Sequence, residues 1–237
     1  MYKSKAIIGC IILVYILSVF FQFTGNDNLS AIFRALILPI IAIAYFIFIK
    51  RKSLFFTLFL LCFSVSDLML LIEDKIPYLL NYYLGNALYL FAYLFLLLEI
   101  SKSVSVSHVL RNFKLHILVL TALNIYIVYV LQVIVNPYVE IINEYYMELV
   151  YNIVMLSVLS VALINYFYRD NKKALYLFIG SLAIVFSEVI DIAYMYISNK
   201  AFLNFLATTL AVIAFYFFFK QANLKNNGVK KEYVFEE

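Results

Sequence analysis

Three carboxyls, Asp67, Glu188 and Asp191, lie inside long apolar runs, and the cation Arg34 has a similar setting. Ionisable side chains are normally excluded from such runs, so each marks a place where chemistry, binding or a buried pairing offsets its cost. A fourth acid, Glu99, is within a turn of Lys102 and fits an interfacial residue beside a basic neighbour. Two carboxyls sharing one site can divide their labour. One stays protonated and donates a proton, while the other is ionised and stabilises a developing cation or orients water. A water-poor cavity favours that division because desolvation disfavours the charged form. Asp67 and Glu188 are the candidates for such a pair, with Asp191 one turn on from Glu188. Arg34 is the expected partner of a carboxylate or a phosphate.

The elements that must position these groups are transmembrane helices. Apolar residues make up 66% of the 237-residue chain and charged residues only 14%, whereas a soluble domain carries roughly 25% charged residues. The charges sit in short clusters separated by apolar runs of about 18–25 residues, the length that crosses a hydrocarbon core. The pattern predicts eight helices, at about 5–23, 30–49, 53–72, 77–100, 114–135, 143–168, 174–197 and 201–219. Pro39 is the only proline well inside a span, and the alternating pattern of a membrane barrel is missing. The expected fold is an all-α bundle over residues 1–222, followed by a short polar tail at 223–237.

Orientation follows from the basic residues. With the N-terminus in the cytoplasm, fifteen of the 18 Lys and Arg fall on that side, and only Arg34, Lys75 and Lys200 fall on the other. The outer side holds Asp27, Glu73, Asp74, Glu140, Glu144 and Glu148. The positive-inside rule therefore predicts eight spans with both ends cytoplasmic. Ile7-Ile8-Gly9-Cys10 resembles a lipoprotein cleavage box, but the apolar run lies mostly after Cys10, so an uncleaved first helix is expected. Richness in Ile, Tyr, Phe, Asn and Lys hints at a bacterial inner-membrane protein.

Depth can be read along each span. Asp67 and Glu188 each lie about 21 Å from the inner end of their helix, and Arg34 some 24 Å from its own, at 1.5 Å per residue. Asn86 and Tyr89, Tyr126 and Tyr129, and Tyr151 and Asn152 fall in the same outer half. The expectation is one polar layer around a shared cavity. Helical stripes support it: Ser64, Asp67 and Leu71; Asn86, Tyr89 and Tyr93; Ser187, Glu188, Asp191 and Tyr194. The competing role is an interhelical hydrogen-bond cluster that only holds the bundle. Ser66-Asp67 and Ser187-Glu188 also form a faint repeat four helices apart, so their helices run in the same direction.

At these residues the chain resembles the YhhN family of membrane proteins, whose vertebrate members include lysoplasmalogenases. Arg34 to Pro39 occupies the place of that family's Lys-Pro segment, and Ser66-Asp67-Leu68-Met69-Leu70-Leu71 resembles its small residue, aspartate and leucines. Gly85, Tyr89 and Tyr93 fill a glycine, aromatic and histidine series. Tyr151 resembles a mid-span tyrosine, and Gly180 to Ser187-Glu188 a glycine-to-Ser-Asp segment. Tyr93 and Glu188 depart from the family's histidine and aspartate. The resemblance implies hydrolysis of the vinyl ether bond of a lysoplasmalogen-type membrane lipid, with Asp67, Glu188 and Asp191 catalytic and Arg34, Asn86, Tyr89, Tyr93 and Tyr151 binding substrate.

Two other classes stay open: a proton-coupled or small-molecule transporter, and a non-catalytic lipid-binding membrane protein. No cofactor, metal or nucleic-acid partner is expected. His108 and His116 flank a cytoplasmic segment without an acidic neighbour, and Cys10 and Cys62 lie in different spans as packing residues.

Overall fold

The computed structural model describes residues 2–139 and 142–224. The expected tail from 225 onward, and Glu140, lie outside the described residues. Eight helices are long and apolar enough to cross a membrane. They are α1 (Tyr2–Phe23), α2 (Asp27–Phe48), α3 (Leu54–Met69), α4 (Tyr78–Ser101), α6 (Lys114–Val135), α7 (Ile142–Arg169), α8 (Lys172–Tyr196) and α9 (Ala201–Asn223). Between α4 and α6, where a plain loop was expected, the chain forms a short helix, α5 (Val106–Asn112). The spans match the sequence expectation apart from small shifts at their ends. At the start of α2, for example, Asn26 accepts the Leu29 N–H at 3.2 Å and caps the helix three residues before the expected start.

α3 ends as a tighter 3-10 segment, Leu70–Lys75, so Asp67 stands in its last α-helical turn. Such 3-10 turns are frequent at the ends of α-helices and change the angular spacing of side chains there. Pro39 lies inside α2, which continues through it to Phe48, as bundled membrane helices allow when neighbours satisfy the freed backbone.

Neighbour contacts arrange six helices in a ring: α2, α3, α4, α7, α8, α9 and back to α2. α1 lies outside, against α2 and α9, and α6 lies outside, against α7 and α8. The order carries a four-span offset. The series α2–α3–α4 is followed round the ring by α7–α8–α9, with α3 and α8 each in the middle of a series. The closest joint is between α8 and α9. There a Cβ added at Gly180 would stand 2.7 Å from the Phe218 ring and 3.2 Å from the Ala214 carbonyl, so only glycine fits. Small residues at such contacts let membrane helices approach and gain dispersion energy, because no hydrophobic drive operates between helices in lipid.

The centre of the ring is aromatic. Phe59 and Phe218 are fully buried, and Phe56, Phe63 and Phe215 nearly so. Phe59 lies 5.6 Å from Phe218 and 5.9 Å from Phe215, ring centroid to centroid, and Phe63 lies 5.4 Å from Phe215. This plug separates two recesses. One is lined by residues from the basic turns at 51–53, 102–103 and 169–174 and from the end of α9. The other is lined by residues from the opposite ends of the same helices. Side chains that are apolar and exposed, such as Leu13, Ile16, Leu118 and Ile125, cover the outside as a lipid-facing surface.

Candidate functional site

The second recess is a cavity of about 510 Å³ on the side away from the basic turns. Its mouth is polar, with exposed Asp27 and Asn28 at the start of α2. Its wall is largely apolar, built from Ile37 and Leu38 of α2, Ile184 and Ile192 of α8, and Phe215 of the plug. Asp67, Glu188, Asp191, Arg34, Asn86, Tyr89 and Tyr151 all line it. Seven helices, with α1 adding Gln22 and α9 adding Asn204, thus contribute to one cavity with converging polar groups, the usual make-up of a small-molecule site.

Arg34 is bound by its fork. Its Nη1 donates to Asp191 Oδ1 at 3.0 Å and its Nη2 to Oδ2 at 2.6 Å, a bidentate pair between α2 and α8. Nη1 also donates to Asn204 Oδ1 of α9 at 2.8 Å. The Asn204 amide in turn donates to Gln22 Oε1 of α1, which also accepts the Ser30 hydroxyl at 3.0 Å. The Arg34 side chain remains 34% exposed, against 18% for Asp191, and it lines the cavity. It can therefore meet an anionic ligand while its charge stays compensated.

Asp67 and Glu188 are held by tyrosines instead. Tyr89 of α4 donates to Asp67 Oδ1 at 2.6 Å. Tyr93 of α4 and Tyr151 of α7 donate to the two oxygens of Glu188, each at 2.8 Å. Phe63 packs edge-on against both Tyr89 and Tyr93, at 4.9 and 5.8 Å, and fixes their rings. The preceding serines do matching work. Ser66 donates to the Gly85 carbonyl of α4 at 2.9 Å, and Ser187 donates to the Ala207 carbonyl of α9 at 2.7 Å. Each Ser–acid pair thus ties its helix to the next one through the serine and turns the carboxyl inward. The two-residue repeat of the sequence is a structural repeat of the ring.

The cavity brings together every candidate residue except Tyr93, which is fully buried behind Glu188 and reaches the cavity only through it. Tyr126 and Tyr129 correct the expectation of a polar layer that includes the fifth span. They are 64% and 66% exposed, on the lipid-facing side of α6, because α6 lies outside the ring. Asn152 shares the depth of Tyr151 but does not line the cavity. It is buried on α7, which pairs with α6 through Asn124 and Ser160 at 2.9 Å; that antiparallel register sets Asn152 level with buried Gln132. Glu99 accepts the Ser53 hydroxyl and lies 3.8 Å from Lys102, the interfacial setting expected of it.

Sequence reasoning passed over Asn204, Gln22 and Phe63. Asn204 and Gln22 are neutral amides near span ends, and a search for ionisable side chains does not select them. Their signal was their position in the outer half beside Arg34. Phe63 was one phenylalanine among 23. No protein-family profile, curated protein or solved structure matches this chain.

Proposed function

We propose that this chain is a membrane hydrolase of the lysoplasmalogenase type, related to the YhhN family, that opens the vinyl ether bond of a lysolipid. One observation carries the reading: two carboxyls from repeat-related helices line a single cavity, and tyrosine hydroxyls hold each of them in place. Glu188 accepts a hydroxyl on both oxygens and acts as the ionised partner. Asp67 has Oδ1 engaged and acts as the proton donor through Oδ2. Asp67 transfers its proton to the vinyl carbon remote from the ether oxygen. The positive charge then spreads over the adjacent carbon and the oxygen as an oxocarbenium ion, which Glu188 stabilises. Water adds to the oxocarbenium carbon and returns a proton to Asp67. The hemiacetal so formed collapses to a fatty aldehyde and the glycerol hydroxyl of the head group. Arg34 stands where the lipid phosphate would lie, and the apolar wall receives the chain.

The bacterial inner membrane is the proposed location, with the basic turns cytoplasmic and the cavity opening outward. The test is aldehyde release from a lysoplasmalogen by purified protein, with Asp67→Asn and Glu188→Gln beside the wild type. Loss of at least about a hundredfold in rate is expected of each, the scale of general acid–base catalysis. Rates unchanged in both variants would sink the assignment. The four-span repeat favours a second reading, a carrier. Counter-flow uptake into vesicles without lipid consumption would support that one instead. A purified protein that retains lysolipid and releases no aldehyde would favour the non-catalytic lipid-binding reading.

A further inference from the structure

We infer that the recess at the basic end is a binding site for a phosphate-bearing anion, separate from the carboxyl cavity and independent of its chemistry. The recess measures about 430 Å³, within the range of small-ligand sites. Five cations line it: Arg51 and Lys52 from the turn between α2 and α3, Lys102 after α4, Arg169 at the end of α7 and Lys173 at the start of α8. Among the described residues that line the recess they face one carboxylate, Glu99, whose charge is already shared between the Ser53 hydroxyl and Lys102 at 3.8 Å. The positive-inside rule accounts for cations at this end of the molecule. It does not account for their convergence from three separate turns on one recess, where like charges repel one another and an anion relieves the repulsion.

Helix ends account for part of the charge. α4 and α7 bring the negative poles of their dipoles to this end, and a cation near each is favourable. Arg51 and Lys52 stand between the end of α2, whose negative pole favours them, and the start of α3, whose positive pole does not. Ser53, at the N-cap of α3, spends its hydroxyl on Glu99 and makes no side-chain cap. Arg51 supplies a forked donor suited to phosphate oxygens, while the lysines act as point charges. Lys173 is half-buried, with Nζ 3.5 Å from the Leu224 carbonyl, and both residues line the recess. The phosphate could belong to an anionic lipid head group of the adjoining leaflet or to a soluble phosphorylated molecule. The recess recognises the chemistry the two share.

The full-length protein in nanodiscs or mild detergent tests this with two probes. One is phosphatidylglycerol against phosphatidylcholine, followed as lipid retained in native mass spectrometry. The other is inorganic phosphate against sodium chloride at equal ionic strength, followed as thermal stabilisation. Binding of either probe should fall about tenfold or more in K102Q/K173Q, the scale expected for losing a charge-assisted contact. It should persist in K102R/K173R, and in K50Q and R111Q, which remove cations from the same end but outside the recess. Selective retention of phosphatidylglycerol alone assigns the site to the leaflet, and a saturable response to phosphate assigns it to a soluble ligand. Should K102Q/K173Q fail to assemble, K52Q and K102Q singly are read in the same way. Equal binding of both lipids with no response to phosphate overturns the proposal, as does an equal loss in K50Q or R111Q.

Discussion

Tyr93 of α4 and Tyr151 of α7 close on one carboxylate from two sides. Their hydroxyls donate to opposite oxygens of Glu188 at 2.8 Å, and their rings meet edge to face at 5.7 Å. Three helices are thus coupled at a single side chain. The Tyr93 ring is fully buried and Tyr151 nearly so, and the tyrosines set the direction of the carboxylate plane.

Removing these hydroxyls one at a time should separate positioning from assembly. Tyr93→Phe and Tyr151→Phe keep the ring contacts and delete one hydrogen bond each. Each should slow aldehyde release about tenfold, the equivalent of one hydrogen bond of roughly 1.4 kcal/mol lost in the transition state. The effect should fall on kcat more than on KM for Tyr93, which does not reach the cavity surface. A KM-only effect in Tyr93→Phe would show that Glu188 needs no such support.

Arg34 and Asp191 should behave as a coupled pair. Arg34→Met leaves Asp191 without its bidentate partner and removes the shorter of the two hydrogen bonds to Asn204 Oδ1, at a cost of about 2 kcal/mol for a charged hydrogen-bonded group. Adding Asp191→Leu should recover part of that loss, since both partners of a buried pair can be replaced at smaller cost than one. Thermal unfolding of the single and double variants measures the coupling. Strict additivity would mean that the pair contributes nothing beyond its separate residues.

Gly180 tests the α8–α9 joint. Gly180→Ala puts a methyl group 2.7 Å from the Phe218 ring and 3.2 Å from the Ala214 carbonyl. Such overpacking should lower stability by about 1–3 kcal/mol. In the Gly180→Ala, Phe218→Leu double variant the ring clash is gone, so the melting temperature should fall less than the two single losses combined. A stable Gly180→Ala would show that α8 and α9 can shift apart freely.

The sidedness of the bundle can be checked with single cysteines on a Cys10→Ser, Cys62→Ser background. Lys200 stands in the turn between α8 and α9, and Arg111 in α5 near the opposite end; both are exposed. A membrane-impermeant maleimide should label Lys200→Cys in intact cells and Arg111→Cys only after permeabilisation. Labelling of both from one side would overturn the eight-span alternation.

The sequence by itself determined how many helices cross, in which direction they alternate and how deep each polar residue lies. Those are properties of a single run: apolar length must match the bilayer, charge must fall at its ends, and depth is 1.5 Å times the residue count. Asp67, Glu188 and Arg34 were therefore assigned to one height without any knowledge of their neighbours. Only the tertiary structure decided which way each residue faces and what it meets. In lipid both the buried and the outward faces of a helix are apolar, so hydropathy carries little information about rotation around the helix axis or about neighbour order. For this reason Tyr126 and Tyr129 could share the depth of Tyr151 and still point away from the site. The pairing of Arg34 with Asp191 rather than with Asp67 or Glu188 was open on the same grounds. The convergence of Arg51, Lys102, Arg169 and Lys173 on one recess likewise depends on a ring that brings distant turns side by side.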